Sequence, residues 1–524
     1  MGRDMGHTHL FNKTLTAIFA LVFASLMLFN TAVRAASDST ITYAMYGDIA
    51  DWDPASAASL EVLMLVNVYE PLLWYNAPGS AKQFTPALAT SWSVSDDGLS
   101  WTFNLRKNVK FHDGEAFNAA AAKASLDRTM ELGKGLAYIW GNVESVTAAD
   151  EHTLVIKTKN PQPVDLIASS QYAAYMYSPK AAKAGADWFN AGNAAGTGPY
   201  AVRQWNKAQQ VVLEKNANYW GGWSDSHFKR VILKVVTENS TQLQMFKSGE
   251  ADFISLAPAD LMESLNSEEG LSAYTIPSWK NSQYLINTQK APTNNKKFRQ
   301  ALTHIWDYET VVKEIYAGTA EVGRGPIPAT MWGHDSSIQT PTFDLKKASA
   351  LLKESGVPQS DWKVSMGYIG TSQEYKNSAL LFQANASEVG VEVELLPGDW
   401  GTVAGNARAL ETAPNLQSMT WWPGYATPND WLVGLFRTDK TNLFNFSYYA
   451  NPKYDQLLAE GIALEGSDRA QAIENYSKVQ QMLMDDAVAI FYADIKQRVA
   501  RASDIKGYKP NPAYASVFFY QLSR

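Results

Sequence analysis

The chain has 524 residues, with 45 Lys and Arg against 52 Asp and Glu, a net charge of −7, and no cysteine. This acidic balance gives no electrostatic footprint for nucleic acid or an anionic membrane surface. The missing cysteine excludes disulfides, thiolate metal sites, thiol nucleophiles and lipid attachment through a cysteine.

The first 35 residues read differently from the rest. Arg3 and Lys13 precede an almost unbroken apolar run over 15–29, LTAIFALVFASLMLF, and Ala32-Val33-Arg34-Ala35 then offers small residues suited to signal peptidase. The run is about 15 residues long, short of the roughly 20 needed to cross a bilayer. A cleavable signal peptide over 1–35 is therefore expected, and with it export to the periplasm of a two-membrane bacterium. Losing Arg3, Lys13, Arg34 and Asp4 takes the net charge to −9. The 489 residues that remain exceed what one hydrophobic core organises, so two or three domains are expected.

Alternation over 41–46 predicts a strand, which DIADWDP (48–54) interrupts as a loop before a helix over 60–69. Trp92 and Val94, then Asp96-Asp97-Gly98, then Trp101, Phe103 and Leu105, place period-two apolar positions on both sides of a turn and predict a hairpin. Apolar periodicity predicts helices over 118–131, 240–248, 298–316, 344–354, 375–389 and 469–485, with strands over 154–158, 211–214 and 231–236. Gly249, Gly318, Gly356 and Gly390 stand where four helices stop, the position of a left-handed C-cap. A strand VEVELL follows the helix that ends at Gly390. The class is α/β, without internal repeats or low-complexity linkers. The chain also carries 17 Trp and 25 Tyr, residues that combine an apolar face with a polar tip and suit wet ligand clefts.

Several segments carry a resemblance when taken in order. They are DWDPASAASLEVLMLVNVYEPLLWY (51–75), TPALATSWSVSDDGLSWTFNLRKNVKFHDGEAF (85–117), GTGPY (196–200), NANYW (216–220), KSGEADF (247–253), FRQALTHIWD (298–307), FDLKKASALLKESG (343–356) and NPKYDQLLAEG (451–461). Their order and spacing resemble the family 5 extracellular solute-binding proteins, the dipeptide, oligopeptide and nickel receptors of ABC importers. The resemblance implies a two-lobed periplasmic binding protein fold with two hinge crossings and an extra subdomain on the first lobe. Lobe I would take 36–75, 196–280 and 490–524, the subdomain 76–195, and lobe II 281–489. It further implies a monomer that captures a short peptide and hands it to a permease of two transmembrane and two ATP-binding subunits.

The same resemblance implies the ligand-binding residues. Ala58, Ser59 and Leu60 fall where a bound peptide pairs with backbone, a contact that reads any peptide without regard to side chains. Trp400 falls on an aromatic pocket wall, and Tyr138, Trp421, Trp422 and Tyr425 complete the set. Peptide-binding relatives carry a W-x-x-D-x-x-D/E-P segment whose first Asp pairs with the peptide's α-amino group. Here the segment reads Trp421-Trp422-Pro423-Gly424-Tyr425-Ala426-Thr427-Pro428, so Gly424 replaces the amine-binding Asp and Thr427 the second acid. A buried ammonium without a partner costs several kcal/mol. Either Asp430 or Asp48 substitutes from a shifted position, or the solute lacks that amine. Trp421, Trp422, Tyr425 and Trp431 also suit stacking on an oligosaccharide, opine-like or amino-sugar ligand.

Neither metal nor cofactor is expected. His112, His152, His227, His304 and His334 have no local ligand spacing. Gly196 and Gly198 lack the GKS or GKT of a phosphate loop and read as scaffold. An exported glycoside hydrolase is the contrasting class, since it needs two carboxylates across a sugar. However, Asp96-Asp97 and Asp485-Asp486 are neighbours in a turn and at a helix end, and no GxSxG or HExxH motif is present, so no enzyme is expected.

Overall fold

The computed structural model describes residues 39–439, 442–514 and 516–524. The signal-peptide reading of 1–35 lies outside them. No helix among the described residues is long and apolar enough to cross a membrane.

One mixed sheet of eleven strands runs through the molecule. Its first half is built around Thr40–Met45, which pairs in parallel with Arg230–Val235 and Phe253–Ile254; Gln210–Lys215 and Tyr200–Asn206 continue it antiparallel. Its second half is built around Lys363–Ile369, parallel to both Glu392–Gly398 and Leu416–Trp421. Two long antiparallel strands, Leu271–Ile286 and Ala489–Ala502, join the halves. Ala273 and Ala500 lie in a core with Ala44 and Phe246, whereas Tyr284, Ile286, Ile490 and Tyr492 lie in another with Trp306 and Phe382. These strands are therefore the two crossings of a two-lobed fold. Their register shifts between Ile276 and Lys280, around Pro277, whose missing N–H cannot support a continuous ladder.

Local signals set most of the predicted elements. The hairpin forms as Ala89–Val94 and Ser100–Leu105 in a separate four-stranded sheet. Asn118 caps Ala119–Leu132 through its side chain, Asp344 caps Leu345–Glu354, and Asp468 caps Arg469–Asp485. Gly249, Gly318, Gly356 and Gly390 all have left-handed φ.

The helix expected over 298–316 is instead broken. Lys296–Ile305 ends at Trp306, which is extended, and Asp307 then caps a new turn through Thr310 N that continues as a π-helical turn, Val311–Ile315. The break turns the Trp306 indole into the second core, 4.7 Å from the Tyr492 ring and 5.6 Å from Phe382. Tertiary packing of one large ring outweighs the helical periodicity.

The largest core runs without interruption from Trp52, Tyr69 and Trp140 to Trp421, Trp431 and Tyr476. Segments far apart in the chain thus meet face to face.

Candidate functional site: the inter-lobe cleft

Ala58 and Ser59 form one wall, and the loop 48–56 that precedes them is held from behind. Asp53, fully buried, makes a two-pronged pair with Arg128, at 2.9 Å to Oδ1 and 2.5 Å to Oδ2. Such bidentate geometry restrains both groups more than a point charge does. Ser56 Oγ donates to Asp51 at 2.6 Å and closes the loop. Beyond it, Ser59 N–H donates to Glu61 Oε2 at 2.8 Å, and the Ser59 carbonyl accepts from Tyr172 OH. Among the described residues, the Ala58 N–H and C=O and the Leu60 N–H make no hydrogen bond.

The facing wall is the end of Leu416–Trp421 and the turn after it. Ala58, Ser59, Trp400, Trp421 and Trp422 line a common cavity, joined by Leu136, Tyr172, Thr420, Gly424 and Phe444. Its volume is about 30 Å³, far below the roughly 300–1,000 Å³ of sites that enclose small ligands. The Trp421 ring packs edge-on to Phe444 at 5.3 Å and lies against Gly434, where an added Cβ would come within 2.7 Å of it. Trp422 Nε1 donates to Tyr172 OH at 3.3 Å. A hydrogen-bond chain from Trp422 through Tyr172 to Ser59 therefore spans the cavity.

Three predicted residues do not line this cavity. Leu60 turns toward Gly47, where an added Cβ would come within 2.6 Å of its Cδ1, and its carbonyl accepts from Leu63 N. Tyr425 is buried, and its hydroxyl donates to Asn429. Tyr138 stands one layer back, with its hydroxyl 3.2 Å from Asp430 Oδ1.

Gly424 has a direct steric reason. A Cβ at this position would meet Leu136 Cδ2 at 2.2 Å, so Leu136 occupies the place of an amine-binding Asp side chain. Asp430 lies beside it but turns inward. Its Oδ2 accepts from Trp421 Nε1 at 3.0 Å and Gly424 N at 2.9 Å, and it has no exposed surface. Burial outweighs these bonds and pushes its carboxyl up to about 7. Asp48 lies elsewhere, accepting from Ile49 N, Trp205 Nε1 and Ala208 N. Neither acid therefore presents a carboxylate to the cavity. Thr427 donates to the buried Glu465, which also accepts from Asn429 and Tyr476.

Leu136, Tyr172, Thr420 and Phe444 escaped the sequence reading. Tyr172 lies in an aromatic run, YAAYMY, that hinted at more than packing. Leu136 carried no signal, because its role depends on which segment closes over it.

The GTGPY turn is scaffold. A Cβ on Gly196 would lie 2.1 Å from the Val68 carbonyl, and Thr197 Oγ1 donates to Glu70 at 2.8 Å. His112, His304 and His334 bond to backbone carbonyls of Gly198, Thr342 and Ile327. The acidic pairs are structural as well: Asp97 accepts from Ser95 Oγ and Leu99 N within its turn, and Asp486 pairs with Lys296.

Comparison with known proteins agrees with this geometry. Residues 83–442 match the family model for bacterial extracellular solute-binding proteins, family 5 Middle. The chain is 29% identical to the probable D,D-dipeptide-binding periplasmic protein DdpA of Escherichia coli strain K12, covering 86% of this chain and 87% of that protein. It is 30% identical to the glutathione-binding protein GsiB of Pectobacterium atrosepticum, covering 92% and 93%. Among solved structures, the periplasmic binding protein DppA of Helicobacter pylori, in complex with the peptide STSA, superposes with a TM-score of 0.82 at 25% identity, covering 92% of this chain and 98% of that one. The chain belongs to the family 5 bacterial extracellular solute-binding proteins: it is a non-enzymatic solute receptor of an ABC importer.

Proposed function

We propose that the solute is a short peptide, captured in the periplasm after export and delivered to a permease of two transmembrane and two ATP-binding subunits. The observation that carries this reading is the free backbone of Ala58, with both N–H and C=O unpaired, in the same cavity as the Trp421 and Trp422 indoles. An extended peptide adds to such a segment through its own backbone, and the aromatic faces cover it. The names of the dipeptide and glutathione relatives lend the reading support.

Capture works by closure. A cavity of about 30 Å³ admits no peptide, so the walls must part and re-form around it. A ligand touching both walls favours the closed state by its differential affinity, and the closed shape is what the permease reads. In this scheme 36–75, 196–280 and 490–524 move as one lobe with 76–195 attached, 281–489 move as the other, and the receptor acts as a monomer.

A second reading is favoured by one observation: with Leu136 in the place of an Asp side chain at 424 and Asp430 already holding three donors, neither position offers an acid to an ammonium. A solute without that amine, such as an opine-like conjugate or an oligosaccharide, fits such a wall. Thermal-shift measurements against di- to pentapeptides, free and N-acetylated, beside oligosaccharides and metal ions distinguish the readings, because a bound ligand raises the melting temperature by mass action. Stabilisation by peptides supports the first reading. Stabilisation by sugars or metals alone sinks it.

A further inference from the structure

A second cavity lies away from the cleft. Its volume is about 610 Å³, within the roughly 300–1,000 Å³ of sites that enclose small ligands, and it shares no lining residue with the cavity between the lobes. Its walls come from 66–85, Pro199, Tyr219 and the C-terminal 507–521. In the proposed closure these segments move together, so the cavity exists whether the cleft is open or shut. Hydrogen bonds within the chain fix the walls. Asn67, buried, clamps the C-terminal segment by donating to the Val517 carbonyl at 2.9 Å and accepting from Phe519 N at 3.0 Å. Tyr75 N donates to Tyr514 OH at 2.8 Å, and Asn511 Nδ2 donates to the Tyr75 carbonyl at 2.7 Å. Gly507 lets the segment fold back on itself, since a Cβ there would lie 2.1 Å from the Gln521 carbonyl.

The lining selects among ligand classes. Trp74, Tyr75, Tyr219, Phe518 and Tyr520 are each only partly buried, so ring surface is left to the cavity. Trp74 meets Phe518 edge-on at 5.1 Å, and Tyr219 meets Tyr520 edge-on at 5.0 Å, which sets apolar planes across one another. Between them stand the Ser80 and Thr85 hydroxyls and three amides. Two of these, Asn76 and Asn511, each commit one Nδ2 hydrogen to a backbone carbonyl and keep the other for a ligand. A hydrocarbon would strand these polar groups. A cationic ligand finds no free partner: Glu70, the one carboxyl in the lining among the described residues, already accepts from Thr197, Tyr219 and Trp220, and Arg106 rests on Trp220 at 3.8 Å. An anion would meet only Lys509, an exposed ammonium whose pairing gains little. The class that fits is neutral, with C–H faces for the rings and hydroxyls for the amides, as on a pyranose sugar.

We propose that this cavity is a second binding site, which takes neutral sugar rings and does so whatever solute the cleft holds. A free oligosaccharide and the end of a glycan chain present the same ring, so both are ligands of one chemistry. Because its walls are already in place, the site needs no closure to bind, in contrast to the cleft.

Saturation-transfer NMR and isothermal titration with maltotriose, cellotriose and chitotriose test this on the wild type, Trp74→Leu, Ala77→Trp and Trp421→Ala. At least one trisaccharide is expected to bind the wild type, and Trp74→Leu to weaken it about 10-fold. Ala77 is partly exposed on the cavity wall, so Ala77→Trp should fill the space and abolish sugar binding with the melting temperature unchanged. That variant keeps the test sharp if Trp74→Leu fails to fold. Trp421→Ala, in the cleft, should leave sugar affinity within about twofold. Sugar binding that is lost in Trp421→Ala and kept in Ala77→Trp puts the sugar in the cleft and overturns the proposal, as does failure of all three trisaccharides to bind. Retention on amylose, cellulose or chitin beads, with release by the matching trisaccharide, marks a glycan as the source; binding of the free sugar without retention marks a soluble one.

Discussion

Two buried carboxyls in this molecule have nearly the same chemistry and opposite placement. Glu70 lies under the GTGPY turn and accepts from Thr197 Oγ1, Tyr219 OH and Trp220 Nε1. Asp430 lies under the cleft and accepts from Trp421 Nε1, Gly424 N and Tyr138 OH. Each is desolvated enough to be pushed up to about 7. All the donors to Glu70 come from one side of the cleft. Asp430 takes Tyr138 from the segment carrying Leu136 and the others from the opposite wall. In the proposed closure the first network stays whole, whereas the second is remade each time. Burial and bonding alone therefore do not mark a functional site, and the origin of the partners does.

The largest expected effect separates the regions by stability. Gly196→Ala drives a Cβ into the Val68 carbonyl and the Tyr69 ring, 2.1 and 2.7 Å away, and backbone cannot yield as a flexible side chain does. A loss of about 3 kcal/mol or more in urea unfolding is expected, with solute affinity unchanged in the protein that folds. Unchanged stability would break the comparison at its first term.

Trp421→Ala comes next and should act on affinity. It removes an aromatic wall and one donor to Asp430, so a loss of about 100-fold in titration is expected. Wild-type affinity in this variant means the cleft assignment is wrong.

Gly424→Ala is the cleft counterpart of Gly196→Ala. Its Cβ meets the end of Leu136 rather than backbone, so closure suffers and the unliganded fold does not. Affinity should fall about 10-fold with the melting temperature of the free protein nearly constant, and Leu136→Ala in the same chain should restore it.

The smallest effect lies in pH dependence. Burial raises the Asp430 carboxyl from its ordinary 3.8 to about 7 in this structure, so, on the proposed closure, an opening that exposes it to water releases a proton and closing takes one up. Its contribution is complete below about pH 4 and is lost as pH rises through about 7. Wild-type affinity should weaken as pH rises from 5 to 8, and Asp430→Asn should flatten that slope. Glu70→Gln should instead flatten the same trend in unfolding free energy, because Glu70 carries a raised carboxyl in the folded state whether or not the cleft is closed. If both variants change only unfolding, the cleft network does not open.

The sequence was most legible where structure is local. The helices that begin at Asn118, Asp344 and Asp468 were readable from apolar periodicity, and their caps act within three residues, while the 92–105 hairpin carried its turn between alternating flanks. The crossing strands Leu271–Ile286 and Ala489–Ala502 were not foreseen. Each changes surroundings midway, so no single period spans it, and the shift at Pro277 breaks what alternation there is. At the site, Trp421 and Trp422 were found by their place in an ordered family pattern. Leu136 and Tyr172 were not, because their roles arise only when segments about 250 to 290 residues apart in sequence approach each other. Asp430 was noticed as a substitute acid, but its inward turn depends on Tyr138 and Trp421 and is invisible in one dimension.

The contact of residues 170–171 with the turn at 423–424 bears on transport economy. Ser170 Oγ and Gln171 N donate to the Gly424 carbonyl at 2.9 and 3.0 Å, and Gln171 Nε2 donates to the Pro423 carbonyl. These bonds join protein to protein and do not depend on what the cleft contains. Each contributes only about 1 kcal/mol net, yet together they lower the free energy of a shut receptor with no cargo. On the proposed closure, such a receptor would compete with loaded ones for the permease and invite ATP hydrolysis without transport. The strength of this latch therefore sets an exchange between speed of capture and waste: tighter, and empty receptors occupy the permease; looser, and the solute alone must supply the work of closing.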